Sequence, residues 1–400
     1  MLTRDNPSLA DRDVAQALRT AAALIEPALI MTTRRSLGSS SPYLVRALKP
    51  TGSRAAVVGG CEDKSAPAGG CSFAPAGATA RTCINRRRAS GGNVGEADMV
   101  PIARMGSAMK LVTFRTGTTS RVGVADAGVV RDVSELLPVG AGMLEVIEAW
   151  DELGPALREG TAALPTLPLD SVELLAPIPA PRRNVFCVGK NYRDHIAEFG
   201  RSGYDTSAER VALPAKPILF SKATTSVTGP TAAVNPHHGV TSELDYEGEL
   251  CVIIGHGGRG VTREQAYDHV WGYTIVNDVT ARDVQRDHKQ WLLGKSLDTH
   301  CPMGPYAVTA DEITDVTALE IETFVNGERR QFAPVKDLIF DIPHLIATLS
   351  AGITLLPGDL LATGTPAGVG IGFDPPRFLT SGDLVEVSIT GLGRLSNRIA

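Results

Sequence analysis

The sequence of 400 residues predicts a mixed, mostly β fold of the α+β class. Three observations indicate this class. Short strand-like segments recur through residues 109–400, helical periodicity is confined to brief stretches, and no long run of alternating β and α segments occurs. A doubly wound parallel sheet requires such alternation, so the β-rich architecture is favoured over it.

Residues 1–108 differ in composition from the rest of the chain. They contain one Tyr, one Phe and no Trp, and they carry 14 Lys and Arg against 8 Asp and Glu. This composition predicts a disordered extension or an over-extended gene start. A transit peptide would explain the Arg and Ser content, but acidic residues such as Asp5 and Glu26 are unfavourable in one. Residues 109–400 have a net charge of −11, which argues against nucleic acid as a partner.

Residues 109–178 predict a small N-terminal α+β domain. The expected strands are Leu111–Phe114, Arg121–Val124 and Gly128–Val130, followed by helical periodicity from Met143 to Leu153. Pro177, Pro179 and Pro181 then restrict the backbone to extended geometry, as in a linker. The sequence therefore predicts a second, larger domain over residues 179–400.

Strands also dominate the predicted larger domain. The expected segments are Asn184–Val188, Pro217–Ser221, Leu250–Ile254, Gly272–Asn277 and Ile321–Val325. Asn326-Gly327 is a type I′ hairpin signal. A capping box at Thr262–Gln265 predicts a helix to about Val270, and Asp341 predicts the cap of a helix that ends near Gly352.

The segment Leu244–Ile254 is predicted to form one strand with acidic side chains at successive odd positions. Asp245, Glu247 and Glu249 should then point the same way, because side chains alternate across a strand. Like charges so close together require solvent, protonation or a cation. The pattern indicates a divalent metal site, with a solvated acidic face as the alternative for an isolated motif.

Gly255–Gly260 matches the G-x-G-x-x-G pattern of dinucleotide-binding proteins, and Asp278 lies downstream. A nicotinamide-dependent oxidoreductase is therefore a remote alternative. The preceding strand is acidic and the predicted helix begins after the last glycine, both of which disfavour that interpretation.

Six cysteines occur without a Cys-x-x-Cys pair, which predicts neither a zinc site nor a disulfide framework. This usage suits a reducing compartment, so we expect a cytoplasmic protein. The sequence contains no apolar stretch long enough for a transmembrane helix, and no membrane partner is expected.

Several motifs, in order, resemble those of the fumarylacetoacetate hydrolase family. They are Gly-Lys-Asn-Tyr-Arg-Asp-His at 189–195, Tyr-Glu-Gly-Glu at 246–249, Asn-Asp-x-x-Ala-Arg-Asp-x-Gln at 277–285, Gly-Lys-Ser-x-Asp-Thr at 294–299 and Thr-Gly-Thr-Pro-x-Gly-Val-Gly at 363–370. The resemblance covers most of residues 184–398, extends to the small N-terminal domain, and implies a β-rich catalytic domain.

The resemblance implies a Mg²⁺ or Mn²⁺ ion held by Glu247, Glu249 and Asp278. Carboxylate oxygens suit these hard cations, in agreement with the strand pattern. Asp245 does not match the ligand pattern and is expected to be a solvated or hydrogen-bonded neighbour.

The resemblance also assigns catalytic and substrate-binding residues. His195 and Glu198 match a catalytic pair, and a short helix would place them on one face. Lys295 matches an active-site lysine that stabilises an oxyanion. The residues implied to bind substrate are Arg282, Gln285 and Thr365. Thr299 is expected near the metal, while Asp283 and Asp298 are expected to be structural and His288 and His300 not to be ligands.

The implied activity is hydrolysis of a carbon–carbon bond in a 2,4-diketo acid of the acylpyruvate or fumarylpyruvate type, through a metal-stabilised enolate. The same chemistry leaves two alternatives open. These are isomerisation of 5-carboxymethyl-2-hydroxymuconate or 2-hydroxyhepta-2,4-diene-1,7-dioate, and decarboxylation of oxaloacetate. The expected partner is a small 2-oxo acid, and the resemblance implies a homodimer.

Overall fold

An eleven-stranded mixed sheet organises the part of the chain that this computed structural model describes, residues 109–204 and 212–400. Numbered in chain order and given in sheet order, its strands are Thr166–Pro168 (β4), Val129–Asp132 (β3), Thr119–Asp126 (β2), Lys110–Thr116 (β1), Ala307–Thr309 (β14), Val270–Asn277 (β11), Gly248–Ile254 (β10), Leu360–Ala362 (β17), Val185–Gly189 (β6) and Ile218–Lys222 (β7), with Glu173–Leu174 (β5) paired to β1. The extension predicted for residues 1–108 lies outside the described residues.

Three smaller sheets accompany the large one. The strands are Val227–Thr228 (β8) with Cys301–Pro302 (β13), Leu244–Asp245 (β9) with Thr280–Ala281 (β12), and the antiparallel series Glu328–Pro334 (β16), Glu320–Val325 (β15), Leu384–Ile389 (β18) and Gly393–Arg398 (β19). Helices in the described residues are short. They are Met143–Glu148 (α1), Trp150–Gly160 (α2), Arg193–Arg201 (α3), Arg282–Asp287 (α4), Leu292–Lys295 (α5) and Ile342–Ser350 (α6). The predicted mixed, mostly β class is confirmed.

Strand β10 is buried on both faces and anchors the centre of the fold. Leu250, Val252 and Ile254 contribute to one hydrophobic cluster, and the alternating residues Cys251 and Ile253 contribute to a second. Both sets are at most 1% exposed. A strand packed between two cores has little freedom to move, so side chains at its first residues are held in fixed positions.

Local sequence signals explain several element boundaries. The Asp341 carboxylate accepts a hydrogen bond from the His344 N–H at 2.9 Å and caps α6, as predicted. Asn326 and Gly327 have φ values of +51° and +80°, which fits the predicted hairpin between β15 and β16. The helical pattern from Met143 to Leu153 is confirmed as two consecutive helices, α1 and α2.

Two predicted elements are wrong. The helix predicted from Thr262 to Val270 is only a 3₁₀ turn over Ala266–His269. The strand predicted over Leu244–Ile254 is interrupted at residues 246–247, and β9 pairs with β12 rather than with the large sheet. The interruption changes the direction of the backbone. The rule that side chains alternate across a strand therefore does not apply between Asp245 and Glu249.

The glycine-rich segment at 255–260 lacks the context of a dinucleotide site. It follows β10 and leads back into β11, which is antiparallel to β10, so no crossover helix follows it. Packing explains Gly257, because a Cβ there would lie 2.7 Å from the Leu355 carbonyl oxygen, and a φ of +72° explains Gly260. The nicotinamide alternative therefore loses the structural feature on which it depended.

The first strands of the described residues join the same large sheet as β6, β7, β10, β11, β14 and β17. Lys110 and Leu111 of β1 pair with Val308 and Ala307 of β14. The domain division predicted at residue 178 stays a prediction. Within the described residues, no helix combines the length and apolar character that crossing a membrane requires.

Candidate active site

Antiparallel pairing of β10 with β11 brings three carboxylates together. Gly248 pairs with Asn277 at the start of β10 and the end of β11, so Glu247 and Glu249 face the residue that follows β11, Asp278. The Asn277 side chain fixes this corner by accepting a hydrogen bond from the Glu247 N–H at 2.9 Å. One oxygen from each of Glu247, Glu249 and Asp278 lies within 4.8 Å of the others.

All three carboxylates are buried, with exposures of 4%, 1% and 0% for Glu247, Glu249 and Asp278. Two lysines neutralise part of the negative charge of these carboxylates. Lys295 Nζ lies 2.7 Å from Glu247 Oε2 and 2.8 Å from Asp278 Oδ2. Lys222 Nζ lies 2.6 Å from Asp278 Oδ1.

The remaining negative charge is concentrated on Glu249. Its side chain accepts a backbone hydrogen bond from Gly364 at 2.8 Å. Burial, followed by the charges of Asp278 and Glu247, raises the pKa of Glu249 well above its ordinary value. Burial acts on Glu247 in the same direction, but the charges of Lys295 and Arg282 outweigh it and lower the pKa of Glu247 to about 2.

This donor set fits a divalent cation. Among these three buried carboxylates, Glu249 has no positively charged hydrogen-bond partner in the described residues. A cation bound between the three would stabilise the cluster. Carboxylate oxygens are the ligands that Mg²⁺, Mn²⁺ and Ca²⁺ prefer. Glu247, Glu249 and Asp278 could therefore hold such an ion, as the resemblance implied.

The predicted pair of His195 and Glu198 forms on α3. His195 Nδ1 lies 3.2 Å from Glu198 Oε2, and the two residues are 5% and 9% exposed. Glu198 also accepts hydrogen bonds from the Gly368 N–H at 2.9 and 3.1 Å. The carboxylate therefore orients the imidazole through Nδ1 and leaves Nε2 as the nitrogen available to a substrate or a water molecule.

Helix α4 places Arg282 and Gln285 on one face, as predicted. Arg282 Nη1 donates to Gln285 Oε1 at 3.2 Å, and its Nε donates to Asp245 Oδ2 at 2.8 Å. Its Nη2 lies 2.6 Å from Glu247 Oε1, although the N–H directions do not give a regular hydrogen bond there. Arg282 is 1% exposed, so the guanidinium acts first on the protein's own carboxylates.

Of the two roles that the sequence left open for Asp245, a solvated or a hydrogen-bonded neighbour, the structure shows the hydrogen-bonded one. Its side chain is fully buried, and besides Arg282 it accepts hydrogen bonds from the backbone N–H groups of Gly370 and Ile371 at 2.6 and 3.2 Å. It thus connects α4 with the loop that carries Thr365. Asp245 does not belong to the group of three carboxylates whose oxygens lie close enough together to hold a metal ion.

One pocket collects seven of the nine predicted site residues. Its lining includes His195, Glu247, Glu249, Arg282, Gln285, Lys295 and Thr365. Glu198 and Asp278 are not part of this lining, but they contact the lining residues His195 and Lys295. The pocket holds only about 20 Å³, close to the space needed for one water molecule.

Other residues take positions that the sequence did not indicate. Lys222 lies under the carboxylate cluster, and Gln331 donates to Thr365 Oγ1 at 2.8 Å while accepting from the Gly248 N–H at 3.0 Å. Lys222 is the last residue of β7 and Gln331 lies within β16. Neither position matched a sequence motif that would have indicated a role in the site. Thr299 does not line the pocket, and its hydroxyl accepts a hydrogen bond from the Asn235 N–H at 2.8 Å.

Comparison with known proteins bears on this geometry. The family model described as fumarylacetoacetate (FAA) hydrolase C-terminal matches residues 184–400. The chain belongs to the fumarylacetoacetate hydrolase family.

Relatives in this family differ in the reaction that their names give. The chain is 53% identical over 231 residues to oxaloacetate tautomerase YisK of Bacillus subtilis (strain 168), a match that covers 58% of this chain and 74% of YisK. It is also similar to the fumarylacetoacetate hydrolase of Exiguobacterium antarcticum, with 44% identity, a TM-score of 0.63, and coverage of 73% of this chain and 99% of that one.

A third relative was solved with ligands. Maleylpyruvate hydrolase from Sphingobium sp. SYK-6, in complex with manganese(II) and pyruvate, is 31% identical with a TM-score of 0.59 and covers 73% of this chain and 99% of its own. The chain is thus a member of an enzyme family whose reactions include hydrolysis and tautomerisation.

Proposed function

We propose that this protein is a divalent-metal-dependent enzyme that interconverts the keto and enol forms of a 2-oxo dicarboxylic acid. One observation carries the proposal. A single pocket is lined by two members of a cluster of three buried carboxylates and by an imidazole that is oriented by its own carboxylate. The 53% identity to an oxaloacetate tautomerase supports oxaloacetate as the first substrate to test.

A Mg²⁺ or Mn²⁺ ion bound by Glu247, Glu249 and Asp278 would supply Lewis acidity toward the oxygen atoms of a 2-oxo acid. The manganese in the maleylpyruvate hydrolase complex supports this choice of metals. Lys295 adds a fixed positive charge. Burial lowers the pKa of Lys295, but the charges of Asp278 and Glu247 outweigh burial and raise it, so the side chain stays protonated beside the reacting oxygen.

His195 is the group that moves the proton. In the keto-to-enol direction its Nε2 takes a proton from C3 of the substrate, the C–H electron pair becomes the C2–C3 double bond, and the carbonyl π pair moves onto the oxygen. The imidazolium then gives its proton to that oxygen, directly or through water, and the neutral base is regenerated. Glu198 stabilises the imidazolium that forms. Gln285 and Thr365 offer polar groups in the lining that would orient the substrate carboxylate.

Hydrolysis of an acylpyruvate is the second candidate, and the same His195–Glu198 pair favours it. An imidazole with Nδ1 held by a carboxylate can take a proton from water as readily as from carbon. The likeness to maleylpyruvate hydrolase supports this reaction. In that case the water oxygen bonds to the distal carbonyl carbon and the carbon–carbon bond breaks. The acyl fragment leaves as a carboxylic acid, the electron pair of the broken bond stays on the other fragment as the enolate of pyruvate, and the proton held by His195 converts that enolate to pyruvate.

The two candidates are separated by measuring products with the full chain and added Mn²⁺. Enol-oxaloacetate is followed by its ultraviolet absorbance, and pyruvate release is measured from oxaloacetate, acetylpyruvate and fumarylpyruvate. Faster loss of the enol without pyruvate establishes the tautomerase. Pyruvate from an acylpyruvate establishes the hydrolase instead, and pyruvate from oxaloacetate alone establishes a decarboxylase. No acceleration of any of these reactions would contradict the proposal.

A further inference from the structure

The loop over residues 363–372 donates backbone hydrogen bonds to three buried carboxylates around the pocket. These bonds run from Gly364 to Glu249 at 2.8 Å, from Gly368 to Glu198 at 2.9 Å and from Gly370 to Asp245 at 2.6 Å. Glu249 belongs to the metal cluster, and Glu198 orients His195. Asp245 is held by the same loop, but the mechanism described above gives it no role.

Asp245 is fully buried and accepts four hydrogen bonds. Its Oδ1 accepts from the N–H groups of Gly370 and Tyr246 at 2.6 and 2.9 Å. Its Oδ2 accepts from the Ile371 N–H at 3.2 Å and from Arg282 Nε at 2.8 Å. Three of these donors are backbone groups whose positions the fold fixes. The fourth is a side chain, so it is the group whose orientation the carboxylate determines.

Arg282 links Asp245 to the catalytic pocket. Arg282 lines the pocket, whereas Asp245 does not. The Nη1 group of Arg282 donates to Gln285 Oε1 at 3.2 Å, and Nη2 lies 2.6 Å from Glu247 Oε1. Because the guanidinium is planar and rigid, a hydrogen bond that fixes Nε also fixes the directions of both Nη groups.

The contact with Arg282 also orients the amide of Gln285. Its Oε1 accepts from Arg282, which leaves the two hydrogens on Nε2 available to a ligand in the pocket that Gln285 lines. A substrate carboxylate accepts hydrogen bonds and therefore requires such donors. Loss of the Asp245 charge would free the guanidinium to turn, and Gln285 would lose the contact that keeps its oxygen away from the carboxylate.

We propose that Asp245 is a positioning residue for substrate binding, which holds Arg282 so that Arg282 and Gln285 present N–H groups to the substrate carboxylate. The inference rests on the proposed function, because that function places the substrate in the pocket that these two residues line. It adds a residue that determines substrate affinity without contacting the substrate.

A double-mutant cycle tests the inference on the full chain, with saturating Mn²⁺ and with oxalate as the ligand. Oxalate has two adjacent carbons that carry oxygen, as the carboxylate and enol carbons of a 2-oxo acid do. Calorimetric Kd values are measured for the wild type, Asp245→Asn, Arg282→Gln and the double variant. Asp359→Asn is the matched control, because Asp359 is also buried and accepts hydrogen bonds from an arginine and a backbone N–H, but does not line the pocket.

Asp245→Asn should weaken oxalate binding about tenfold, the size typical of one hydrogen bond between charged groups. Arg282→Gln should weaken it at least as much. When Arg282→Gln is already present, Asp245→Asn should change Kd by less than about twofold, because the residue through which it acts is gone. The control Asp359→Asn should also stay within about twofold of the wild type.

Equal effects of Asp245→Asn with and without Arg282→Gln would mean that Asp245 acts through the loop, and would overturn the inference. An unchanged Kd in Asp245→Asn, or no binding of oxalate to the wild type, would overturn it too. If Asp245→Asn does not fold, Asp245→Glu replaces it with the same expectations, since it keeps the charge and moves the carboxylate by one methylene. Because Kd does not depend on turnover, an inactive enzyme that shows this coupling would count against the proposed function alone.

Discussion

Glu247 and Glu249 are separated by one residue but experience opposite electrostatic surroundings. Glu247 contacts Lys295 and Arg282, whose charges hold its pKa at about 2 despite burial. Glu249 has a backbone N–H for a partner and two carboxylates for neighbours. Of the cluster, Glu249 is therefore the residue whose charge most requires a bound cation.

Glu249→Gln should separate metal binding from stability. The amide keeps the shape but removes a ligand charge, so Mn²⁺ affinity should fall at least about 100-fold, more than is typical for residues that only orient ligands. In EDTA the variant should melt about 2–4 °C above the wild type, because like-charge repulsion is relieved. Calorimetry and thermal melts check both effects.

The control for this variant is Glu386→Gln, which alters a partly exposed glutamate paired with Arg394 outside the pocket. It should leave both quantities unchanged. Unchanged Mn²⁺ affinity in Glu249→Gln would remove Glu249 from the metal site.

His195→Ala should distinguish reactions by their need for a proton acceptor. Tautomerisation and acylpyruvate hydrolysis should both fall at least about 100-fold, as is typical when a general base is lost. Decarboxylation of oxaloacetate should persist, because carbon dioxide leaves without proton removal from C3 or activation of water. Rates for all three reactions with one preparation check this division, and equal loss of all three would refute it.

The buried imidazole of His300 contributes to the pH dependence of stability in acid. Its Nε2 lies 3.0 Å from the Asn235 carbonyl oxygen, and burial followed by the charge of Lys222 lowers its pKa from 6.5 to about 3. Below pH 6.5 the unfolded chain binds a proton there that the folded chain does not. The free energy of unfolding should therefore fall as the pH drops from 6.5 toward 3, by up to about 1.4 kcal/mol per pH unit from this group.

His300→Gln removes this titration and keeps a group that can donate to Asn235. Urea unfolding at several pH values should show a smaller acid loss in the variant than in the wild type. Parallel pH dependences for the two proteins would mean that His300 does not titrate as described.

At the scale of elements, the loop from Thr363 to Gly372 closes against α3 through Glu198. Gly368 donates to the Glu198 carboxylate, and a Cβ at Gly372 would lie 1.7 Å from Glu198 Oε1. Gly372 does not have a positive φ, so its backbone accepts alanine. A glycine is needed there because the carboxylate that orients His195 occupies the space of a side chain.

Gly372→Ala should therefore displace Glu198 without disrupting the fold. We expect kcat to fall about tenfold or more, since the base loses its orientation. Gly352→Ala is the matched control, because nothing lies within 4 Å of a Cβ at Gly352. Both variants should melt near the wild type. A normal kcat in Gly372→Ala would show that the position of Glu198 is unimportant.

The sequence predicted elements best where the signal was local. The Asp341 cap, the Asn326-Gly327 hairpin and the helix that pairs His195 with Glu198 all depend on residues at most a few positions apart. The break at residues 246–247 in the strand predicted over Leu244–Ile254 depends instead on residues far apart in the sequence. It arises because β9 pairs with β12 across more than 30 residues, as in Asp245 with Thr280, and pairing over that separation leaves no periodic signal.

Prediction of the site residues from the sequence was limited in the same way. Motif order identified the carboxylates and α4, whereas Lys222 and Gln331 entered through tertiary contacts alone. Asp245 was recognised as acidic but not as the partner of Arg282. Ion pairs between distant segments depend on the finished fold, so a single sequence gives the ligands more readily than the residues that position them.

At the scale of the whole molecule, residues 109–400 should suffice for activity. Within the described residues the large sheet begins at Lys110, and the fumarylacetoacetate hydrolase of Exiguobacterium antarcticum matches over 99% of its length with 73% of this chain. A protein starting at Met109 should retain kcat/KM within about twofold, because all residues placed in the site lie within residues 109–400. Assays beside the full chain check this, and loss of folding would contradict it. The homodimer stays a prediction, which light scattering on both proteins tests.

The most direct test of the account is the metal dependence of enol-oxaloacetate conversion. The wild type and Glu247→Gln are treated with EDTA, dialysed, and assayed with and without added Mn²⁺ or Mg²⁺. The wild type should lose activity in EDTA and recover it with either metal, while the variant should recover little because it lacks a ligand charge. Full activity in the wild type after metal removal, verified by elemental analysis, would contradict the role given to the three carboxylates.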